Sequence, residues 1–288
     1  MLGVFEKPLL GVFVVLMFVA LTRSASGQVA PSDSAPTPIP VVATYPDDER
    51  LAVALTMLKK SAFDAAAMTA NAVLVSKPEC DRAALILGIA HTKAKRYQEA
   101  KPALIRARDS KQPFPERKHA AHFLGWCCFH LGEMTEAKAA FEAHLALTPN
   151  EPDSTFGLAL VAFAEDRLED ADLLYAKALD GFTKPTPKPH DQARVLVRMA
   201  DLALRRDDVA GAEKLLDSAV KAHALQHETW SKLARVYDRQ GKSKEADAAR
   251  ANEQRILEAL GRRSAQQPVV DTPKDASTAP SPAPKDPA

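Results

Sequence analysis

The chain has 288 residues, of which 46% are hydrophobic, and its 38 basic side chains nearly balance 37 acidic ones. This size and apolar content suffice for a domain-sized core, whereas the balanced charge argues against nucleic-acid binding, which requires a basic face. The cysteines, Cys80, Cys127 and Cys128, are odd in number, so at least one stays unpaired or pairs between molecules, and we expect them to be small buried hydrophobes.

The first 27 residues are predicted to be a secretory signal peptide. Lys7 precedes an apolar run from Leu9 to Leu21, which is shorter than the roughly 18 residues that span a membrane. Small residues follow, up to a predicted cut after Gly27. We therefore expect an exported protein, periplasmic or secreted, that contacts a membrane only if the signal segment stays uncleaved. Residues 28–46, rich in Pro, Ala, Ser and Thr, are predicted to be a disordered linker.

From residue 47 onward the chain repeats a helical pattern, mostly in 34-residue steps. The clearest copy contains Leu124-Gly125, then Ala137, Phe141 and Pro149. Small residues at fixed positions let two helices approach closely, and large apolar residues fill the space between neighbouring units. The sequence therefore predicts helix-turn-helix units, and their copies begin at Asp47, Asp81, Lys118, Pro152, Ala193 and His227.

This order of Leu-Gly, Ala, Phe and Pro resembles the tetratricopeptide repeat. The resemblance implies an all-α fold, an α-solenoid of about six repeats over residues 47–262. Stacked repeats of this kind present a curved binding surface rather than a catalytic pocket. The implied role is therefore protein–protein interaction without enzymatic activity. Together with the predicted signal peptide, we expect this role in a bacterial-type cell envelope or the secreted space.

Two longer steps interrupt the spacing, from Asp81 to Lys118 and from Pro152 to Ala193. The second contains a Pro/Lys-rich segment at 183–190, which is expected to be stiff and extended. It is either a loop on a continuous stack or a joint between two blocks of repeats. Pro102 is expected to kink its helix. At the end of the chain, residues 248–263 are predicted to extend the last helix, and the Pro/Ala-rich residues 263–288 to form a disordered tail.

The resemblance places a partner-binding groove at repeat positions 2, 5, 9, 12 and 13 of the first helices. An aromatic and histidine centre with charged flanks suits an apolar peptide segment with polar ends, and Trp126 is its best anchor. Packing between neighbouring helices explains Phe156 and Phe163 nearly as well. The predicted groove residues are His119, His122, Trp126, Phe129, His130, Phe156, Leu160, Phe163, Arg194 and Arg235.

No residue set indicates catalysis, a cofactor or a metal site. His119 and His122 lie three residues apart with no carboxylate between them, and no phosphate-binding glycine loop or haem motif occurs. We therefore expect a scaffold that binds a protein or peptide partner and no nucleic acid. Two alternatives remain open: a self-assembling structural protein of an envelope complex, and a His-based metal-binding protein.

Overall fold

The computed structural model describes residues 47–266, so the predictions for the signal segment, the linker and residues 267–288 lie outside the described residues. Within 47–266 the chain is helical without strands, and a short 3₁₀ helix spans Pro115–His119. The six helix-turn-helix pairs are α1 Arg50–Lys59 with α2 Phe63–Ser76, α3 Asp81–Lys93 with α4 Tyr97–Asp109, α5 Ala120–His130 with α6 Met134–Leu147, α7 Pro152–Ala164 with α8 Leu168–Thr183, α9 Pro189–Arg205 with α10 Val209–Ala222, and α11 His227–Arg239 with α12 Ser243–Gln266.

All six pairs share one turn. The residue at repeat position 15 has a left-handed backbone in every copy, with φ between 60° and 79°. The next residue donates its amide to the carbonyl five residues back at 2.8–2.9 Å, which closes each first helix with the Schellman hydrogen bond. This common turn confirms the predicted register of all six copies. Position 15 is occupied by Ser61, Lys95, Gly132, Asp166, Asp207 and Gly241.

Close packing within a pair depends on a small residue facing a large one. The Phe141 side chain of α6 is fully buried against α5, where a Cβ at Gly125 would lie 2.6 Å from its ring. Gly157 of α7, in the next pair, approaches the same ring more closely still. Real Cβ atoms do not come this near to a neighbour, so both positions require glycine for this packing. Phe141 therefore joins three helices.

The structure shows how the chain accommodates the two longer steps between repeats. The 3₁₀ helix takes up the extra residues before α5, whereas α8 continues to Thr183 and α9 begins at Pro189. The prediction of an extended segment is thus wrong at both ends of 183–190, and only residues 184–188 are non-helical. Pro189 fits the first position of a helix, since no amide is needed there. A joint at this loop stays a prediction, but one core crosses it, formed by Phe156, Ala159, Ala162, Ala171, Tyr175, Ala178, Phe182, Val195 and Leu202.

Two helices differ from a simple repeat. α4 continues through Pro102 to Asp109, so the proline removes one hydrogen bond without ending the helix. α12 has 24 residues and reaches Gln266, past the predicted domain end at residue 262. None of the helices within residues 47–266 is both long enough and apolar enough to cross a membrane.

The three cysteines are buried, as the sequence predicts. Cys127 Sγ donates to the Tyr97 carbonyl at 3.0 Å. Burial raises the pKa of Cys127 to about 11 and that of Cys128 to about 12. Both thiols therefore stay protonated at neutral pH and pack as small apolar groups.

We expect Gly157→Ala to destabilise the protein by about 1–3 kcal/mol, because the added methyl group collides with the buried Phe141 ring. Gly261→Ala is the matched control. Gly261 lies in α12 with open space around it, so alanine there should be neutral or stabilise the helix by up to about 1 kcal/mol. Urea unfolding of both variants measures the difference, and equal stabilities would contradict this packing.

Candidate functional site

The first helices α3, α5, α7 and α9 line a concave groove with a volume of about 800 Å³. Its walls are the helix faces that the repeat register predicts, so successive turns of one helix present residues to the same side. The structure brings together eight of the ten predicted groove residues: His122, Trp126, Phe129, His130, Phe156, Leu160, Phe163 and Arg194.

The other two predicted residues lie elsewhere. His119 is the last residue of the 3₁₀ helix, and its ring lies near that of His144 in α6, with centroids 6.1 Å apart. Arg235 is exposed on α11, beyond the helices that form most of the groove. Neither residue lines the groove.

Trp126 lies at the centre of the groove and is held by its neighbours. Its indole Nε1 donates to Asp153 Oδ2 at 3.1 Å. Its ring meets Phe129 and Phe141 edge to face, with centroids 6.1 and 5.4 Å apart, and the Arg194 guanidinium lies 6.0 Å over it. The half-buried indole is therefore fixed before any partner binds.

The two phenylalanines of α7 have different roles. Phe156 is 2% exposed and packs against Tyr175 with ring centroids 6.0 Å apart, so it is mainly a core residue that closes the groove floor. Phe163 is half-buried, with the Arg205 guanidinium 5.9 Å over its ring. Packing between helices therefore accounts for the presence of Phe156, whereas Phe163 exposes apolar surface to the groove.

Charged groups differ between the two ends of the groove. At the α9 end, Arg198 pairs with Asp201 at 2.9 Å and with Glu228 at 2.6 Å. At the α3 end, Lys93 and Lys95 are exposed, and neither has a carboxylate within 4.0 Å among residues 47–266. The α3 end thus offers two cations whose charge the described part of the chain does not neutralise.

A buried polar cluster adjoins the groove behind His122. The Nδ1 atoms of His122 and His144 both lie 2.8 Å from Ser154 Oγ, which can donate to one ring and accept from the other. His122 Nε2 lies 3.4 Å from Asp153 Oδ2. Glu151 caps α7 by accepting from the amides of Asp153 and Ser154.

Both imidazoles of this cluster are neutral at physiological pH. Burial lowers the pKa of His122, and it lowers the pKa of His144 to about 4. Because the carboxylate of Asp153 faces His122 Nε2, we place the His122 proton there, and Ser154 then donates to His122 Nδ1 and accepts from His144 Nδ1.

Sequence reasoning missed several groove residues. Asp153 holds repeat position 2, the same position as Arg194, so the repeat spacing alone could have identified it as a groove residue. Phe123 and Arg198 both hold position 6 and also line the groove, which extends the set of groove positions. His122 does have carboxylates close by, but they come from the N-cap residue of α7, Glu151, and from its first turn, Asp153, which spacing along α5 does not show.

Comparison with protein families supports this architecture. The family model described as tetratricopeptide repeat matches residues 54–104, 93–152 and 197–262, which is more than half of the chain. The chain belongs to the tetratricopeptide repeat family. Proteins built from such repeats are generally non-catalytic scaffolds for protein–protein interaction. No curated protein sequence matches this chain.

Solved structures share the fold at low sequence identity. The APC/C hetero-tetramer Cut9-Hcn1 is similar over 72% of this chain, with a TM-score of 0.62 and 17% identity, and the match covers 39% of that chain's length. BtubC from P. vanneervenii is similar over 83% of this chain and 100% of its own, with a TM-score of 0.51 and 17% identity. These similarities establish the tetratricopeptide repeat fold alone.

Asp153→Ala removes the acceptor of the Trp126 indole and one partner of Arg194, and we expect a loss of about 1–3 kcal/mol in the free energy of unfolding. Asp191→Ala is the matched control, because Asp191 also pairs with Arg194 but does not touch Trp126, and its loss should stay below about 1 kcal/mol. Denaturant unfolding followed by tryptophan fluorescence measures both. In a Trp126→Phe background the Asp153 effect should shrink, and an unchanged effect would show that this hydrogen bond does not matter.

Proposed function

We propose that the chain is a non-catalytic scaffold that binds an extended or helical segment of a protein partner in the concave groove. The observation that carries this proposal is the fixed, half-buried indole of Trp126 at the groove centre, with Phe129 and Phe163 beside it. Preorganised aromatic side chains bind at low entropic cost and are the residues on which interface energy concentrates. Membership of the tetratricopeptide repeat family supports a protein or peptide partner.

The groove also favours a particular segment chemistry. An apolar or aromatic side chain fits over Trp126 and Phe129, where burial would contribute most of the binding energy. Towards α3, Lys93 and Lys95 favour an acidic residue in the bound segment. Towards α9, Arg198 is already neutralised by Asp201 and Glu228, so that end favours neutral polar contacts.

We propose that the scaffold works outside the cytoplasm, in the periplasm or the secreted space, and the signal peptide predicted for residues 1–27 supports this location. An oxidising compartment is compatible with the three buried cysteines, because buried protonated thiols are poor nucleophiles.

Site-specific photo-cross-linking in the native compartment tests the groove directly. A photoreactive residue replacing Leu160, which lines the groove, should give a discrete partner adduct. The same residue replacing Leu173, which is 73% exposed on α8 and does not line the groove, should not. Trp126→Ala with Phe129→Ala should abolish the Leu160 adduct, whereas Trp230→Ala on α11 should preserve it.

An adduct that survives loss of both aromatic residues would refute the groove as the binding surface.

Self-assembly is the second candidate function, favoured by Met68 and Val75, which are 73% and 76% exposed on α2. Light scattering at several concentrations separates the two, because a monomer at every concentration excludes self-assembly.

A further inference from the structure

We propose that His122, His144 and Glu151 form a binding site for one divalent transition-metal ion of the zinc class, at the junction of α5, α6 and the start of α7. The site lies beside the concave groove and does not depend on the proposed partner binding. One potential ligand atom from each residue lies within 4.8 Å of the other two. His122 lies in α5, His144 in α6, and Glu151 is the N-cap residue of α7, so an ion there would tie the start of α7 to the α5–α6 pair.

The distances are close to those of a coordination sphere. Glu151 Oε2 lies 3.9 Å from His122 Nδ1 and 4.0 Å from His144 Nδ1. Zinc holds imidazole nitrogen and carboxylate oxygen at about 2.0–2.2 Å, so tetrahedral ligands lie roughly 3.3–3.5 Å apart. Side-chain rotations that shorten each of these two distances by roughly half an ångström therefore bring the Glu151 oxygen to a coordination distance from both nitrogens.

The chemistry of the donors suits zinc rather than calcium or magnesium. Two neutral imidazoles and one carboxylate match the set of two His and one Glu that binds zinc with a fourth position open to water. Calcium and magnesium prefer oxygen ligands throughout.

The surroundings are arranged as those of a metal-binding histidine. Asp153 Oδ2 faces His122 Nε2 at 3.4 Å, which keeps the proton on that nitrogen and leaves Nδ1 unprotonated, as a metal-binding nitrogen must be. Asp153 is itself fixed by the Trp126 indole at 3.1 Å. Ser154 Oγ, 2.8 Å from both Nδ1 atoms, aims the two rings at one point.

Binding exchanges these hydrogen bonds for metal–ligand bonds. The Ser154 hydroxyl turns away from the point between the rings, and His144 moves its proton from Nδ1 to Nε2, so the total number of protein protons is unchanged. His144 Nε2 is buried without a hydrogen-bond partner in the described part of the chain, so this tautomer breaks no existing bond at Nε2. Glu151 Oε1 keeps the amide of Asp153, and Oε2, which accepts from the Ser154 amide at 2.7 Å, has a second lone pair for the ion.

The chain contains a surface histidine pair that serves as a matched control. His190 and His223 have ring centroids 5.2 Å apart, and the His190 side chain is 63% exposed. They are not part of the three-residue cluster around Glu151. His190→Gln therefore reports on adventitious binding of zinc to exposed histidines.

Isothermal titration of the untagged full chain with zinc chloride tests the proposal. We expect one ion per chain, with affinity reduced by tenfold or more in His122→Gln and in Glu151→Gln, which keeps a cap acceptor for α7. Asp153→Asn should weaken binding about 10–100-fold without removing a ligand. His190→Gln should leave the affinity unchanged. Cobalt in place of zinc should show the intense visible absorption of a tetrahedral site in the native chain and lose it in His122→Gln.

Circular dichroism and the thermal midpoint without metal show whether each variant is folded. No stoichiometric zinc binding by the folded native chain would overturn the proposal. Binding that His190→Gln reduces and His122→Gln does not would overturn it equally, because it would assign the ion to exposed histidines.

Discussion

The contact of the Phe141 ring with Gly125 and Gly157 determines how three helices meet, and the groove depends on it. The ring enters from α6 and fills the space left by two absent side chains, one in its own repeat and one in the next. Leu104 packs on Gly88 in the second pair by the same rule. The Trp126 ring packs edge to face against Phe141, with centroids 5.4 Å apart. The contact of Phe141 with the two glycines therefore also determines where the centre of the groove lies. The packing of a large side chain against a glycine, which holds the helices together, therefore also determines the geometry of the binding surface.

Polar contacts between repeats complete that surface. Asp153, at the start of α7, accepts a hydrogen bond from the Trp126 indole and lies close to both His122 and Arg194. One carboxylate therefore connects α5, α7 and α9. These side chains are partly buried, so their contacts are partly shielded from water and costly to leave unmade. The groove is therefore rigid at its centre, while Lys93 and Lys95 remain exposed at its edge. Such a division suits a scaffold that selects its partner by one anchor and a complementary charge.

The sequence predicted the repeat fold well because small and large residues alternate at positions that packing controls. It predicted most of the groove for the same reason, since a helix face follows from spacing alone. It missed the partners of His122, because His144, Glu151 and Ser154 come from other helices and the distance between them depends on how the helices pack. It also placed an extended segment at 183–190, although Phe182 is buried in the core and anchors the last turn of α8, with Pro189 starting α9. At both ends of this segment, burial of Phe182 and the fit of Pro189 to the first helical position stabilise the helix more than the Pro/Lys-rich composition disfavours it.

Hydrogen–deuterium exchange of the native chain and of Phe141→Leu tests the central role of this contact most directly. In the native chain, we expect the amides of α5 and α7 near Gly125 and Gly157 to be among the slowest to exchange. In Phe141→Leu, protection should fall across α5, α6 and α7 together, while α11, in a separate core with Leu233 and Val236, stays protected. Loss of protection confined to α6, with α5 and α7 unchanged, would contradict the claim that Phe141 holds the three helices together.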